Sequence, residues 1–124
     1  MAAPLAVLAA GIALAAAPAA SPSVAVLQGL NKVTARVSTI RAPIDRPVRF
    51  GTLTITARTC YKAPPEEPPE SAAFLEIWER RPGEAPRQIF SGWMFASSPA
   101  LSALEHPVYD VWVIDCEPAA SPAE

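Results

Sequence analysis

A chain of 124 residues with 10 Lys and Arg against 12 Asp and Glu carries a formal net charge of −2, which is one domain's worth of sequence without the basic surplus that nucleic acid or an anionic bilayer requires. One histidine and two cysteines are too few for the His/Cys clusters of a zinc site. No CxxC pair and no Gly-rich phosphate loop occurs, which sets aside thiol-redox and nucleotide chemistry; no cofactor and no metal is expected.

The opening MAAPLAVLAAGIALAAAPAA has no charge, and the first charged residue is Lys32. Leu5 to Ala17 is an apolar run of signal-peptide length, short and alanine-rich for a membrane span. Ala17-Pro18-Ala19 then suits cleavage before Ala20, so residues 1–19 are expected to be a signal peptide. No Lys or Arg precedes the run, which places the expected true start upstream of Met1. The mature protein is expected to be soluble and periplasmic or secreted, with no direct membrane insertion. Residues 20–31 read as a flexible lead-in with a glycine turn.

KVTARVSTI alternates Val33, Ala35 and Val37 against Lys32, Thr34, Arg36 and Ser38, the period of a half-buried strand. RAPIDRP ends it with two prolines. FGTLTITARTC alternates again, with Leu53, Ile55 and Ala57 on one face and Thr52, Thr54, Thr56 and Arg58 on the other. KAPPEEPPES predicts an extended exposed loop. FLEIWER, RPGEAP and RQIFSGWMF read as strand, turn and strand, with Pro82-Gly83 at the turn. In SSPALSALEHP, Ser98 can cap a short helix, Pro99 suits its first position, Leu101 and Leu104 share a face, and Pro107 stops it. VYDVWVI predicts a closing strand apolar on both sides, and residues 117–124 a disordered tail. Short strands with turn signals and almost no helix predict an all-β domain over residues 32–116: a small antiparallel β-sandwich or partly open barrel with one short helical turn.

Cys60 and Cys116 each end an apolar strand-like run, and in an oxidising compartment two cysteines most simply form one disulfide. His106 is the only candidate base for a hydrolase, with Ser97, Ser98 and Ser102 near it in sequence and Glu105 and Asp110 as orienting acids. No glycine-framed nucleophile elbow accompanies it, and a histidine before proline reads more simply as a loop residue. Glu66, Glu67 and Glu70 lack the spacing and turn glycine of a calcium loop, and Glu76 and Glu79 fall on opposite faces of a strand. Trp93 and Phe95 share one strand face with Met94 on the other, beside the polar residues Ser91, Ser97, Ser98 and His106. Trp93, Phe95, His106 and Tyr109 are therefore the candidate partner-binding residues. The competing expectation, favoured for most of the set, is a core in which one set of rings lines the interior and the Leu101/Leu104 turn covers the other.

The segments GLNKVTARVSTI, PVRFGTLTITARTC, PPEEPPESAAFLEI and FSGWMFASSPALSALEHPVYDVWVIDC resemble an alphaproteobacterial family of small secreted proteins catalogued as a domain of unknown function. The resemblance spans about Leu27 to Cys116. It implies an envelope-facing protein and carries over no activity, ligand or catalytic residue. The leading expectation is a non-catalytic periplasmic accessory or interaction domain whose partner is another envelope protein. An inhibitor or glycan-binding module and a hydrolase using His106 are the alternatives.

Overall fold

The computed structural model describes residues 23–99 and 103–118. Eight strands follow in chain order: β1 (Val24–Asn31), β2 (Arg36–Pro43), β3 (Val48–Phe50), β4 (Leu53–Lys62), β5 (Ser71–Glu79), β6 (Arg87–Phe95), β7 (Leu104–Glu105) and β8 (Tyr109–Glu117). They form two four-stranded antiparallel sheets, ordered β2-β1-β8-β7 and β3-β4-β5-β6. The expected β-sandwich is the observed architecture. Ala25, Leu27, Val111 and Val113 of the first sheet and Leu53, Ile55, Ala57, Leu75, Ile77 and Met94 of the second make one continuous core between them.

The alternation of FGTLTITARTC is realised directly. Leu53, Ile55 and Ala57 are fully buried while Thr54 and Thr56 are only half-covered on the outer face. The β5–β6 turn is also the expected one. The Glu84 amide donates to the Arg81 carbonyl at 3.0 Å, Pro82 occupies the first central position, and Gly83 takes a φ of 77° that a side chain would resist. Gly51 has the same role between β3 and β4, where Phe50 pairs with Leu53 and a φ of 58° opens a two-residue loop.

Three expectations are corrected. Residues 24–31 are not a lead-in: β1 is an interior strand, with Leu27 paired to Ile40 on one side and to Val113 on the other. Its small residues, Ala25 and Gly29, hide the alternation that sends Ala25 and Leu27 into the core. KVTARVSTI is not one strand either. Lys32 to Ala35 form the β1–β2 turn, in which the Asn31 carboxamide accepts the Val33 and Thr34 amides and Ala35 takes a φ of 58°. A side chain that satisfies two consecutive amides competes with continued sheet pairing, and the turn wins. Finally, Glu117 is not tail: it pairs with Val24 and its carboxylate meets Arg41. The expected helical turn begins at Pro99, whose carbonyl accepts the Ala103 amide at 3.0 Å, while Leu101 and Ser102 lie outside the described residues. The expected signal peptide and residues 119–124 lie outside them too.

Two single-residue irregularities make the disulfide possible. In β4, Ala57 pairs with Leu75 and Thr59 with Phe74, leaving Arg58 unpaired. In β8, Val113 pairs with Leu27 and Asp115 with Val26, leaving Ile114 unpaired. Each extra residue inverts the facing of everything after it. Strict alternation from Ala57 and Val113 would turn Cys60 and Cys116 outward; after the bulges both turn inward. They form a disulfide across the two sheets, with Cα atoms 5.9 Å apart and a sequence separation of 56. Closing a loop of that length contributes about 4 kcal/mol in the chain-entropy account. Reduction, or a Cys60→Ser substitution, should lower the melting temperature by on the order of 15 °C in calorimetry. Coincident melting of the oxidised and reduced protein would show that the bridge adds nothing to stability.

Candidate functional site

The β5–β6 hairpin positions two of the four candidate residues together. On the outer face of the β3-β4-β5-β6 sheet, Phe95 stands opposite Ala72, which stands opposite Tyr61; in the next row Trp93 stands opposite Phe74. The Phe74 and Trp93 rings meet edge to face with centroids 5.7 Å apart. Trp78 lies further along the same face of β5. Tyr61, Trp93, Phe95 and Trp78 are 49, 45, 42 and 41% exposed, so the core expected for most of the candidate set does not take in Trp93 or Phe95. Met94, between them on β6 and pointing the other way, is interior. β6 is the edge strand of its sheet and carries a bulge at Ile89, while Leu101 of the turn expected to cover the rings lies outside the described residues.

His106 and Tyr109 are elsewhere. β6 ends at Phe95 beside the start of β5, whereas β8 begins at Tyr109 near the end of β5, so the connection between them runs the length of the sandwich. At that far end His106 is buried at 8% exposure against Glu79 at 4%. Its Nδ1 accepts the Val108 amide at 3.0 Å, so the ring proton belongs on Nε2, which donates to Glu79 Oε2 at 2.6 Å. Thr52 donates to the same oxygen at 3.4 Å, and Arg81 Nε lies 3.3 Å from Oε1. Burial works to raise the Glu79 carboxyl, but the hydrogen bond from His106, with the charge and hydrogen bond of Arg81, holds it below its ordinary 4.5. The Tyr109 ring packs between His106 and Phe50, with centroids 5.5 and 5.2 Å away. Lys32 Nζ fastens the group from outside, on the His106 carbonyl at 2.7 Å and Asp110 at 2.8 Å.

Ser97, expected near His106, is held at the opposite end, and Ser102 lies outside the described residues. The Ser97 amide donates to Glu70 Oε1 at 3.0 Å and its hydroxyl to Oε2, which lowers the Glu70 carboxyl, the hydroxyl contributing most. This corner opens into a cleft of about 570 Å³ between the 63–70 loop and the β8 bulge. Inside it Lys62 Nζ meets Asp115 at 3.0 Å and the Ser71 hydroxyl reaches the same oxygen at 3.5 Å. Burial works to raise Asp115; Lys62, the Cys116 amide and Ser71 together hold it below its ordinary value. Among the described residues no group of three or more His, Cys, Asp or Glu side chains converges as a metal site, and no helix is long and apolar enough to cross a membrane. What the chain sequence did not disclose is the buried Glu79–His106 hydrogen bond. Glu79 follows the core-facing positions Leu75 and Ile77 at spacings of two, and that was the available signal that a buried partner had to exist.

Residues 25–116 match the family described as "Uncharacterized protein conserved in bacteria (DUF2155)". Uncharacterized protein RP359 of Rickettsia prowazekii is 33% identical over 87 residues, covering 70% of this chain and 56% of the relative, so the chain spans little more than half of that relative's length. No solved structure matches.

The buried pair predicts a specific acid limb. The folded state holds the Glu79 carboxyl below its unfolded value, so its stabilisation is complete above that value and is lost as pH falls through the folded one. Glu79→Gln should flatten the loss of stability below about pH 4.5 in denaturant titrations relative to the wild type. Glu79→Ala, which strands the His106 Nε2–H without its acceptor, should cost about 1–3 kcal/mol at neutral pH. An unchanged acid limb in the glutamine variant would assign the pH dependence to Glu70 and Asp115.

Proposed function

The chain belongs to the DUF2155 family of uncharacterised bacterial proteins, and from that premise we propose that it is a non-catalytic interaction domain of the cell envelope, exported to the periplasm, that binds another envelope protein through the outer face of its β3-β4-β5-β6 sheet. The observation that carries the reading is the cluster of exposed rings Tyr61, Trp93 and Phe95, with Trp78 further along the same face of the sheet. Fully burying a large apolar side chain is worth about 1.5–3 kcal/mol, and the fold leaves nearly half of that unrealised at four places on a single surface. Tryptophan, tyrosine and phenylalanine are the residues that supply binding energy at protein interfaces. Export is supported by the apolar N-terminal run and by the Cys60–Cys116 disulfide, which suits an oxidising compartment.

Against a hydrolytic role stands the geometry of His106. Both ring nitrogens are engaged, by Val108 and Glu79, and the Ser97 hydroxyl is committed to Glu70. A second reading has one observation in its favour: Ala72 lies between Tyr61 and Phe95 with Thr59 in the adjacent row, giving a flat aromatic floor with hydroxyls on which sugar rings can stack.

A photo-crosslinking residue at Phe95 should give a discrete protein adduct in living cells, while one at Thr39, exposed on the other sheet, gives none. Trp93→Ala should remove that adduct without lowering the melting temperature. Equal labelling at the two positions sinks the proposal. Saturable retention on insoluble cell-wall glycan, lost in Trp93→Ala and without a protein adduct, would assign the face to glycan instead.

A further inference from the structure

At the end of the sandwich away from the disulfide, β3 and the β5–β6 turn enclose an open cleft of about 620 Å³ whose lining includes Arg49, Thr52, Arg80, Arg81 and Glu84. A smaller recess beside it adds Arg87 and Glu79. Four arginines thus gather around two glutamates, a local surplus of two positive charges in a chain whose formal net charge is −2. Like charges held this close repel one another, and only part of that repulsion is answered within the fold. Arg81 and Arg87 lean on Glu79 at 3.3 and 3.8 Å, a carboxylate that already serves His106. Among the described residues, no carboxylate pairs with the side chain of Arg49 or Arg80, both of which are exposed.

The walls of the cleft are fixed independently of any ligand. The Arg80 amide donates to the Thr52 carbonyl at 3.0 Å, tying the β5–β6 turn to the β3–β4 loop, and the turn itself is closed by Glu84 on Arg81. The arginines are therefore presented from a preorganised frame, on two chain segments that face each other across the opening. A guanidinium is a planar fork that suits carboxylate and phosphate oxygens, and a single carboxylate would answer only one fork. Several forks converging from two sides suit a multiply charged tetrahedral group.

We propose that this cleft binds a phosphate-bearing anion, through Arg49 and Arg80 with Arg81 in support. The anion is either a free phosphoanion or the phosphate of a lipid headgroup, and both present the same chemistry to the arginines. This surface is separate from the aromatic face, so the two readings stand or fall independently.

The test titrates oxidised, isotope-labelled protein with inorganic pyrophosphate in low-salt buffer, following amide shifts by NMR. In parallel, the protein is sedimented with phosphatidylglycerol vesicles and with phosphatidylcholine vesicles. Saturable shifts confined to Gly51–Leu53 and Arg80–Glu84 are expected. The Arg49→Ala/Arg80→Ala double variant should weaken binding about tenfold or more at unchanged melting temperature, because each lost contact is a hydrogen bond to a charged group. Arg46→Ala, on the exposed turn after β2, should leave affinity as it is. Pyrophosphate saturation without vesicle binding identifies a soluble anion; sedimentation with phosphatidylglycerol alone, abolished in the double variant, identifies a headgroup. The proposal is overturned if neither probe binds in an Arg49/Arg80-dependent way, or if Arg46→Ala weakens binding as much as the double variant does.

Discussion

The structure depends on the strict two-residue period of a strand and on two places where it is broken. Alternation fills the core with Leu53, Ile55 and Ala57 from one sheet and Val111 and Val113 from the other. Continued unbroken, the same alternation would place both cysteines on the outside of the sandwich, back to back and unable to meet. The unpaired Arg58 and Ile114 each add one residue, and the two shifts act in concert to bring Cys60 and Cys116 face to face. Either shift alone would leave one thiol inside and one outside. Asp115, next to the β8 bulge, lies against Lys62 and Ser71 of the other sheet, so a polar tie sits directly beside the covalent one.

The two ends of the sandwich are closed by different physics. One end is held by the disulfide with Lys62–Asp115 and Glu70–Ser97 around it, all partly exposed and individually worth little. The other is closed by Glu79 and His106, inside the core and shielded by Tyr109 and Phe50. Such a pair adds little net stability over an apolar plug, because desolvation offsets the attraction. Its effect is on geometry. With Nδ1 on the Val108 amide and Nε2 on Glu79, the ring has one orientation, and through it the chain leading into β8 has one register. Lys32 then connects the β1–β2 turn to the same segment, so three separate loops share one fixed point.

The sequence was most informative where side chains were large and strands were exposed on one face. β4 and β5 were legible because Leu and Ile alternate with Thr and Glu, β6 and β8 because their apolar and aromatic runs are bounded by turn signals, and the β5–β6 turn because Pro82-Gly83 has few other uses. β1 was missed because alanine and glycine carry no readable contrast between faces. Bulges are invisible to a period-two reading by construction: the disulfide was inferred from compartment and cysteine count, while the face pattern argued against it at Thr59. The candidate set of Trp93, Phe95, His106 and Tyr109 failed as a set for a topological reason. Proximity in sequence was taken for proximity in space, yet a 96–108 connection carries the chain from one end of the sandwich to the other. The same logic hid the arginine cleft, whose members sit on β3 and on either side of a turn thirty residues later.

The exposed rings have a further constraint around them. Arg58, the bulged residue of β4, bridges Asp45 at 3.1 Å and Glu76 at 2.6 Å, and these partners, Glu76 first, hold its proton more firmly than usual. Gln88 approaches Glu76 from the other side at 3.4 Å. This polar bar crosses the outer face of the sheet and separates Trp78 from the cluster of Tyr61, Phe74, Trp93 and Phe95. A third layer packed over the whole face would have to strip water from Arg58 and Glu76, at a cost that a few ring contacts would not offset. A contact restricted to the ring cluster avoids that cost. The bar therefore sets both the boundary and the size of a fitting partner surface, a compact apolar feature seated over four rings and ending where the charges begin.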